Sequence, residues 1–290
     1  MIFEVQGVCR QLLITCRYRP FFVDLLTSFV TSAKFTRHEF EEYVQPIVES
    51  EVAAASADPA IQAIEAAHAL AFRSGLGASI FASPHSVVTV EDIKAFAASA
   101  FSQNNVAVLG TGIDTATLSR LVEKSFTTSG PAPTSSPSRY FGGETRVESH
   151  GGPQTVFIGY GVAGPSDPAL ATLAAHIDPE PSLKWSKGHS PFAELPTDTT
   201  VRSVFLPYSD ATLIGLLVQS SSTEGIKQAA KIAVKSLKES GSAKAEDLKK
   251  AVAKAKFAAA SATDSRDNLI NFLGSKVCTN MSDLSAPLLT

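Results

Sequence analysis

The sequence predicts an α+β fold in two modules, and three observations carry that prediction. Strand-like and helix-like segments come in blocks rather than in a regular βαβ alternation. One stretch, Thr127–Ser138 (TTSGPAPTSSPS), is so rich in Pro, Ser, Thr and Gly that it cannot bury a core. The helices before it also reappear after it, about 208 residues further on: Leu25, Leu26 and Phe29 overlie Ala233, Val234 and Leu237, Glu39-Phe40 overlies Asp247-Leu248, and Val44 overlies Val252. The division that follows is a first module at 1–126, a linker at 127–138 and a second module at 139–290.

In the first module, Phe21–Ser32 reads as a helix with Phe22, Leu25, Leu26 and Phe29 on one face. Thr36 and Glu39 form the outline of a capping box, with Phe35 placed as a staple. The helix they open carries Phe40, Val44, Ile47 and Val48 on one stripe, and Pro46 predicts a kink within it. Asp58 and Pro59 start a helix through Phe72. A glycine-bearing connection, Ser74–Ser83, follows, and Thr89 with Asp92 caps the next helix. Val106–Leu109 reads as a strand and Asp114–Phe126 as a helix. The second module offers strands at Tyr140–Glu148, Thr155–Val162, Val201–Pro207 and Thr212–Gln219, with helices at Pro168–Ile177, Glu224–Glu239, Ala245–Ala262 and Arg266–Val277. By the repeat, Ala211–Gln219 should have a counterpart near residues 3–11, and FEVQGVCRQ is a poor match for it.

Composition narrows the functional classes. Of 290 residues, 44% are hydrophobic and 18% charged, with a net charge of −3, so no global basic field recruits nucleic acid. No apolar run approaches the roughly 20 residues that cross a bilayer. Three cysteines (Cys9, Cys16, Cys278) are too few and too oddly spaced for a disulfide framework or a zinc pair. The first 20 residues hold Arg10, Arg17 and Arg19 against Glu4 alone, a bias shared with organelle transit peptides, but they lack the Ser-rich amphipathic pattern.

Each fragment of catalytic chemistry is incomplete. His38 and Glu42 share a helical face near the register of H-x-x-E-H, yet the last position is glutamate and no third ligand follows. Gly110-Thr111-Gly112 joins a strand to a helix, but Thr115 stands where a dinucleotide fingerprint needs glycine. His150-Gly151-Gly152 reads as a turn. The histidines (38, 68, 85, 150, 176, 189) show no paired metal spacing and read as surface or cap residues. Lys244, Lys249, Lys250, Lys254 and Lys256 give one helix a basic face, either solvated or a strip for an acidic partner or lipid head groups. Asn280-Met281-Ser282 matches a glycosylation pattern that carries no meaning without a secretory signal. The expectation is therefore no catalytic, cofactor-binding or metal residue.

Long stretches of the chain resemble a known family. FVDLLTSFVTSAKFTRHEFEEYVQPIVESE, FRSGLGASIFASPHSVVTVEDIKAFAASAF, NVAVLGTGID, SRYFGGETRVESHGGP and RDNLINFLGSKV are similar to the second-core-protein family of the mitochondrial ubiquinol–cytochrome c reductase, especially its fungal members. The likeness runs from about Phe21 to about Val277. It implies the architecture of the pitrilysin-like (M16) metallopeptidases, a tandem repeat of one α+β unit whose two copies close like a clam. Residues 1–20 do not follow the family's strand and Met281–Thr290 ends abruptly, so the expectation is that the first copy is truncated and poorly stable alone. The resemblance further implies a non-redox, assembly-supporting subunit, peripheral on the matrix side of the inner membrane. Its partners would be core protein 1, cytochrome b, cytochrome c1 and other subunits, with the membrane reached only through them. In active peptidase relatives zinc sits on an H-x-x-E-H helix that would precede residue 1, so no family ligand maps onto this chain. The alternative is a mitochondrial processing peptidase subunit or an M16 zinc metallopeptidase. The α subunit of that peptidase should show a long glycine-rich loop, whereas Ser74–Ser79 has only Gly75 and Gly77.

Overall fold

The computed structural model describes residues 2–5, 8–11, 19–83, 87–101, 106–110, 112–125, 136–148, 151–165, 167–180, 192, 195–261, 263–265, 268–270 and 272–274. Side chains are described from Phe21 onward, Phe22 and Ser125 excepted. The chain forms two compact units: Met1–Glu49 with Ala82–Ser136 and Ala262–Ser285, and Ser50–Phe81 with Pro137–Ser261 and Ala286–Thr290. The units do not follow the linear halves of the sequence, because residues 50–81 belong with the second.

The first unit holds a small antiparallel sheet in the order β2-β1-β3, made of β1 (Ile2–Val5), β2 (Val8–Gln11) and β3 (Val106–Ala107). Ile2 pairs with Gln11 on one side and with Ala107 on the other. Residues 3–11, read from the sequence as a poor match for the strand Ala211–Gln219, fall in two short strands with Val5 facing Val8. Helix α1 (Arg19–Thr31) packs on α6 (Thr115–Ser125). Of the face read in the sequence, Leu25 and Leu26 are half-buried but Phe29 is 62% exposed, while Thr27 is 2% exposed and donates its hydroxyl to the Val23 carbonyl at 2.7 Å. That bond to the preceding turn satisfies the hydroxyl and lets a polar residue occupy the buried stripe.

Thr36 caps α2 (Arg37–Glu39), accepting from the Glu39 N–H at 3.4 Å and donating its hydroxyl to Glu39 Oε2 at 2.6 Å. A π-helical turn, Phe40–Val44, leads into α3 (Gln45–Ala57). Pro46 has no N–H to give the helical ladder, and at this point, where the sequence predicts a kink, the preceding turn widens. The expected stripe is only partly covered: Phe40 and Val48 are half-buried, while Val44 and Ile47 are exposed. Helix α5 (Val90–Ala100) carries the complete Thr89–Asp92 capping box. Asp114 caps α6 through the Thr117 N–H at 3.0 Å.

The second unit is built on a three-stranded antiparallel sheet, β4 (Gln154–Ala163), β6 (Ala211–Ser220) and β5 (Thr199–Pro207), with β6 in the middle. All ten residues of β4 pair with β6, from Gln154↔Ser220 to Ala163↔Ala211. Both faces of β6 are covered, which is why ATLIGLLV reads as a continuous apolar run and not an alternation. Ile214, Leu216 and Val218 meet α7 (Pro168–Ile177) and α8 (Thr223–Glu239). Ala211 and Leu213 on the opposite face meet Ala67, Ala71 and Phe72 of α4 (Pro59–Phe72). Helix α9 (Ala245–Ser261) packs on α7.

The predicted strand at Tyr140–Glu148 is a loop. Gly142 and Gly143 have φ of +72° and +149°, and the Phe141 N–H donates to the Ala71 carbonyl at 2.9 Å, tying the segment to the C-terminal end of α4 rather than to a sheet. The Arg73 guanidinium lies 4.5 Å from the centre of the Phe141 ring and holds the same corner. Of the helix predicted at Arg266–Val277, residues 268–270 and 272–274 are described and all are helical.

Candidate functional site

In the second unit a cleft of ≈ 840 Å³ lies between α4, the 142–147 loop and β4. Asp58 fixes the start of α4 by accepting from the Ala60 N–H at 2.8 Å, and Pro59 at the first helical position needs no N–H partner. That placement lays Ala63, Ala66, Ala67 and Ala71 along the floor of the cleft. Small side chains bring the helix close to the sheet and leave the space open. Glu144 and Arg146, 3.1 Å apart and both exposed, stand on the loop side. One exposed ion pair over an alanine floor offers surface for contact and no proton-transfer pair.

On the same unit, His68 is 9% exposed and engaged at both ring nitrogens. Nδ1 lies 2.8 Å from the Ile64 carbonyl oxygen and Nε2 lies 2.7 Å from the Tyr208 hydroxyl. A carbonyl only accepts, so Nδ1 carries the proton and Nε2 accepts from Tyr208. Burial, followed by the charge of Glu65, raises the Tyr208 phenol above its ordinary value, which keeps it a donor. This corrects the sequence reading of His68 as a surface or cap residue. The usable signal was its place at i+4 from Ile64 and beside Ala67 and Ala71 on the apolar side of α4.

The other sequence candidates separate cleanly. His38 Nδ1 and Glu42 Oε1 do meet, at 3.0 Å, but as an exposed i,i+4 pair beside Arg37–Glu41 at 2.7 Å. Among the described residues no group of three or more His, Cys, Asp or Glu side chains could hold a metal ion. Gly110 and Gly112 sit in a turn before α6, Gly112 at φ +71°. His176 is half-buried in the last turn of α7, and Gly152 takes φ +79°. His85, His150, His189, Cys16, Cys278 and Asn280 lie outside the described residues, as does the side chain of Cys9.

The basic strip on α9 also needs correction. Lys254 turns inward, 22% exposed, and its ammonium lies 2.7 Å from Asp178 Oδ2 and 3.3 Å from the Asp178 carbonyl oxygen, with the Glu180 carbonyl as a further acceptor. Those carbonyls follow the C-terminal end of α7, where a cation is favoured. Lys250 pairs with Asp247 at 3.4 Å.

Comparison with known proteins shows what the chain is similar to. The mitochondrial cytochrome b-c1 complex subunit 2 of Cryptococcus neoformans is 35% identical over 264 residues, which cover 87% of this chain and 61% of that protein. The protein of the same name from Yarrowia lipolytica is 34% identical over 272 residues, covering 92% of this chain and 65% of its own length. The chain is a homologue of mitochondrial cytochrome b-c1 complex subunit 2. The Neurospora crassa protein of that name is 34% identical over 260 residues, covering 84% of this chain and 56% of its own length. The chain thus spans 56% to 65% of the length of these subunit 2 relatives. The fold agrees: a chain in the structure of complex III2 from Candida albicans with Inz-5 bound superposes with a TM-score of 0.74 at 18% identity, covering 91% of this chain and 67% of that one. No protein-family model matches.

Proposed function

We propose that this protein is a core subunit of the mitochondrial ubiquinol–cytochrome c reductase, supporting assembly of the complex while electrons pass from ubiquinol to cytochrome c elsewhere. One observation carries the reading: identity of 34% to 35% with three fungal subunit 2 proteins over 84% to 92% of the chain. Their shared name favours it over the processing-peptidase alternative. The role is scaffolding, with no catalytic, cofactor or metal residue of its own.

The finer parts of the reading follow the resemblance. The fold is a tandem M16-like repeat, with a first copy at 1–126, a linker at 127–138 and a second copy at 139–290. The partners are core protein 1, cytochrome b and cytochrome c1, and the location is the matrix side of the inner membrane. Among the described residues no helix is long and apolar enough to cross a membrane, consistent with attachment through partners. The test is affinity purification of the complex through a tag on cytochrome c1, followed by mass spectrometry. Peptides of this chain in stoichiometric yield are expected; their absence from an intact, active complex overturns the reading.

A further inference from the structure

We propose that the outer face of α8 is a docking surface for a carboxylate-rich segment of another protein chain in the same complex, an inference that rests on the complex-subunit reading above. The inner face of the helix is fixed: Gly225, Ile226, Ala229 and Ala233 are buried against the sheet. Its outer face carries Lys227, Lys231, Lys235 and Lys238, all exposed. Spacings of four, four and three residues put these lysines on one side of the helix, in a row about 16 Å long at 1.5 Å per residue.

The row is short of counter-charge. Lys235 has Glu239 at 3.9 Å, and no ion pair is made by Lys227, Lys231 or Lys238 among the described residues. Residues 223–261 contain nine lysines against four acidic residues, in a chain whose net charge is −3. On α9, Lys250 is engaged by Asp247 and Lys254 by Asp178, which interrupts its basic face, whereas the row on α8 has only the long Lys235–Glu239 contact. Like charges four apart work against a helix, and Lys227 near its positive N-terminal end adds to that. An acidic segment laid along the row relieves both. A narrow line of charge, with only Val234 (37% exposed) as apolar surface within it, matches a linear acidic segment better than a flat bilayer, which rewards a broad patch with several inserting side chains.

The experiment is zero-length carbodiimide cross-linking of the purified complex, read by mass spectrometry, beside amine labelling of the same lysines in complex and in free chain. Cross-links from Lys227, Lys231 or Lys238 to Asp or Glu of another subunit are expected, with labelling of these lysines reduced at least tenfold in the complex. The triple variant K227E/K231E/K238E, which retains the parent circular dichroism and melting temperature, should incorporate at least tenfold less than parent, and the triple arginine variant should incorporate normally. Equal labelling in complex and free chain, or normal incorporation of the glutamate variant, overturns the proposal while leaving subunit membership intact. Protection by anionic phospholipid vesicles with no protein cross-link assigns the row to lipid and also overturns it. A parent chain absent from the complex overturns the subunit reading and this proposal with it.

Discussion

His68 in α4 and Tyr208, the residue after β5, are joined by a 2.7 Å hydrogen bond across 140 residues of sequence. The pair ties a helix on one face of the sheet to the turn between β5 and β6. The Tyr208→Phe substitution leaves Nε2 as a buried acceptor without a donor, and should cost about 1–3 kcal/mol. Urea denaturation of the variant measures it. With Tyr208→Phe already in place, His68→Leu should also become much cheaper, which a double-mutant cycle reads directly.

The same tyrosine predicts a loss of stability in alkali. Its folded-state value is raised above the ordinary 10.0, first by burial and then by Glu65. The protonated phenol is therefore favoured by folding, so its contribution is complete below pH 10 and fades as pH climbs through the raised value. Unfolding midpoints taken from pH 8 to pH 11.5 should fall more steeply for the parent than for Tyr208→Phe.

Thr212 lies near the start of β6 with 0% exposure, and its hydroxyl has no hydrogen-bond partner among the described residues. Thr212→Val removes the unpaired group and keeps the branched shape. Stability should rise by about 1 kcal/mol. A drop in the denaturation midpoint would show that the hydroxyl has a partner.

Gly159 and Gly215 face each other in the β4–β6 register, and the Phe157 ring covers both. A methyl at Gly215 would stand 2.5 Å from the Ile158 carbonyl oxygen and 2.7 Å from the Phe157 ring edge. The first contact is backbone and cannot swing away. Gly215→Ala should therefore destabilise by about 1–3 kcal/mol, while Gly241→Ala, with open space around its added Cβ, serves as the control in thermal melts.

Lys254→Gln removes the cation that meets Asp178 and the carbonyls beyond α7. Both partners are about three-quarters buried by side chain, at 22% and 25% exposure, so salt screens the pair less than it would a surface bridge. A loss of about 1–2 kcal/mol is expected, persisting in 0.5 M NaCl, whereas Lys250→Gln at the exposed Asp247 pair should cost little.

The helix starts were legible because their chemistry is local. Asp58 reaches Ala60, Thr36 reaches Glu39 and Thr89 reaches Asp92, all within three residues. The apolar run of β6 likewise announced a strand. What escaped depends on partners far along the chain. Residues 140–148 alternate like a strand, yet their backbone is claimed by Ala71 and turned by two glycines. His68 and Lys254 read as surface residues until Tyr208 and Asp178 are placed beside them. The cleft had no signature at all, since a run of alanines on α4 looks like ordinary helix filler. The identity of the chain lay in extended similarity and in no single residue.

Helix α4 also sets an order of events. A polypeptide that emerges N-terminus first, whether from a ribosome or from a translocation pore, releases Pro59–Phe72 long before Ala211–Ser220 exists to receive it. Until then Ala67, Ala71 and Phe72 lack Ala211 and Leu213, and His68 has no phenol to meet. The second unit therefore completes itself late. A chaperone that shields this one short helix during the wait would have more influence on the yield of native protein than one acting on the finished surface.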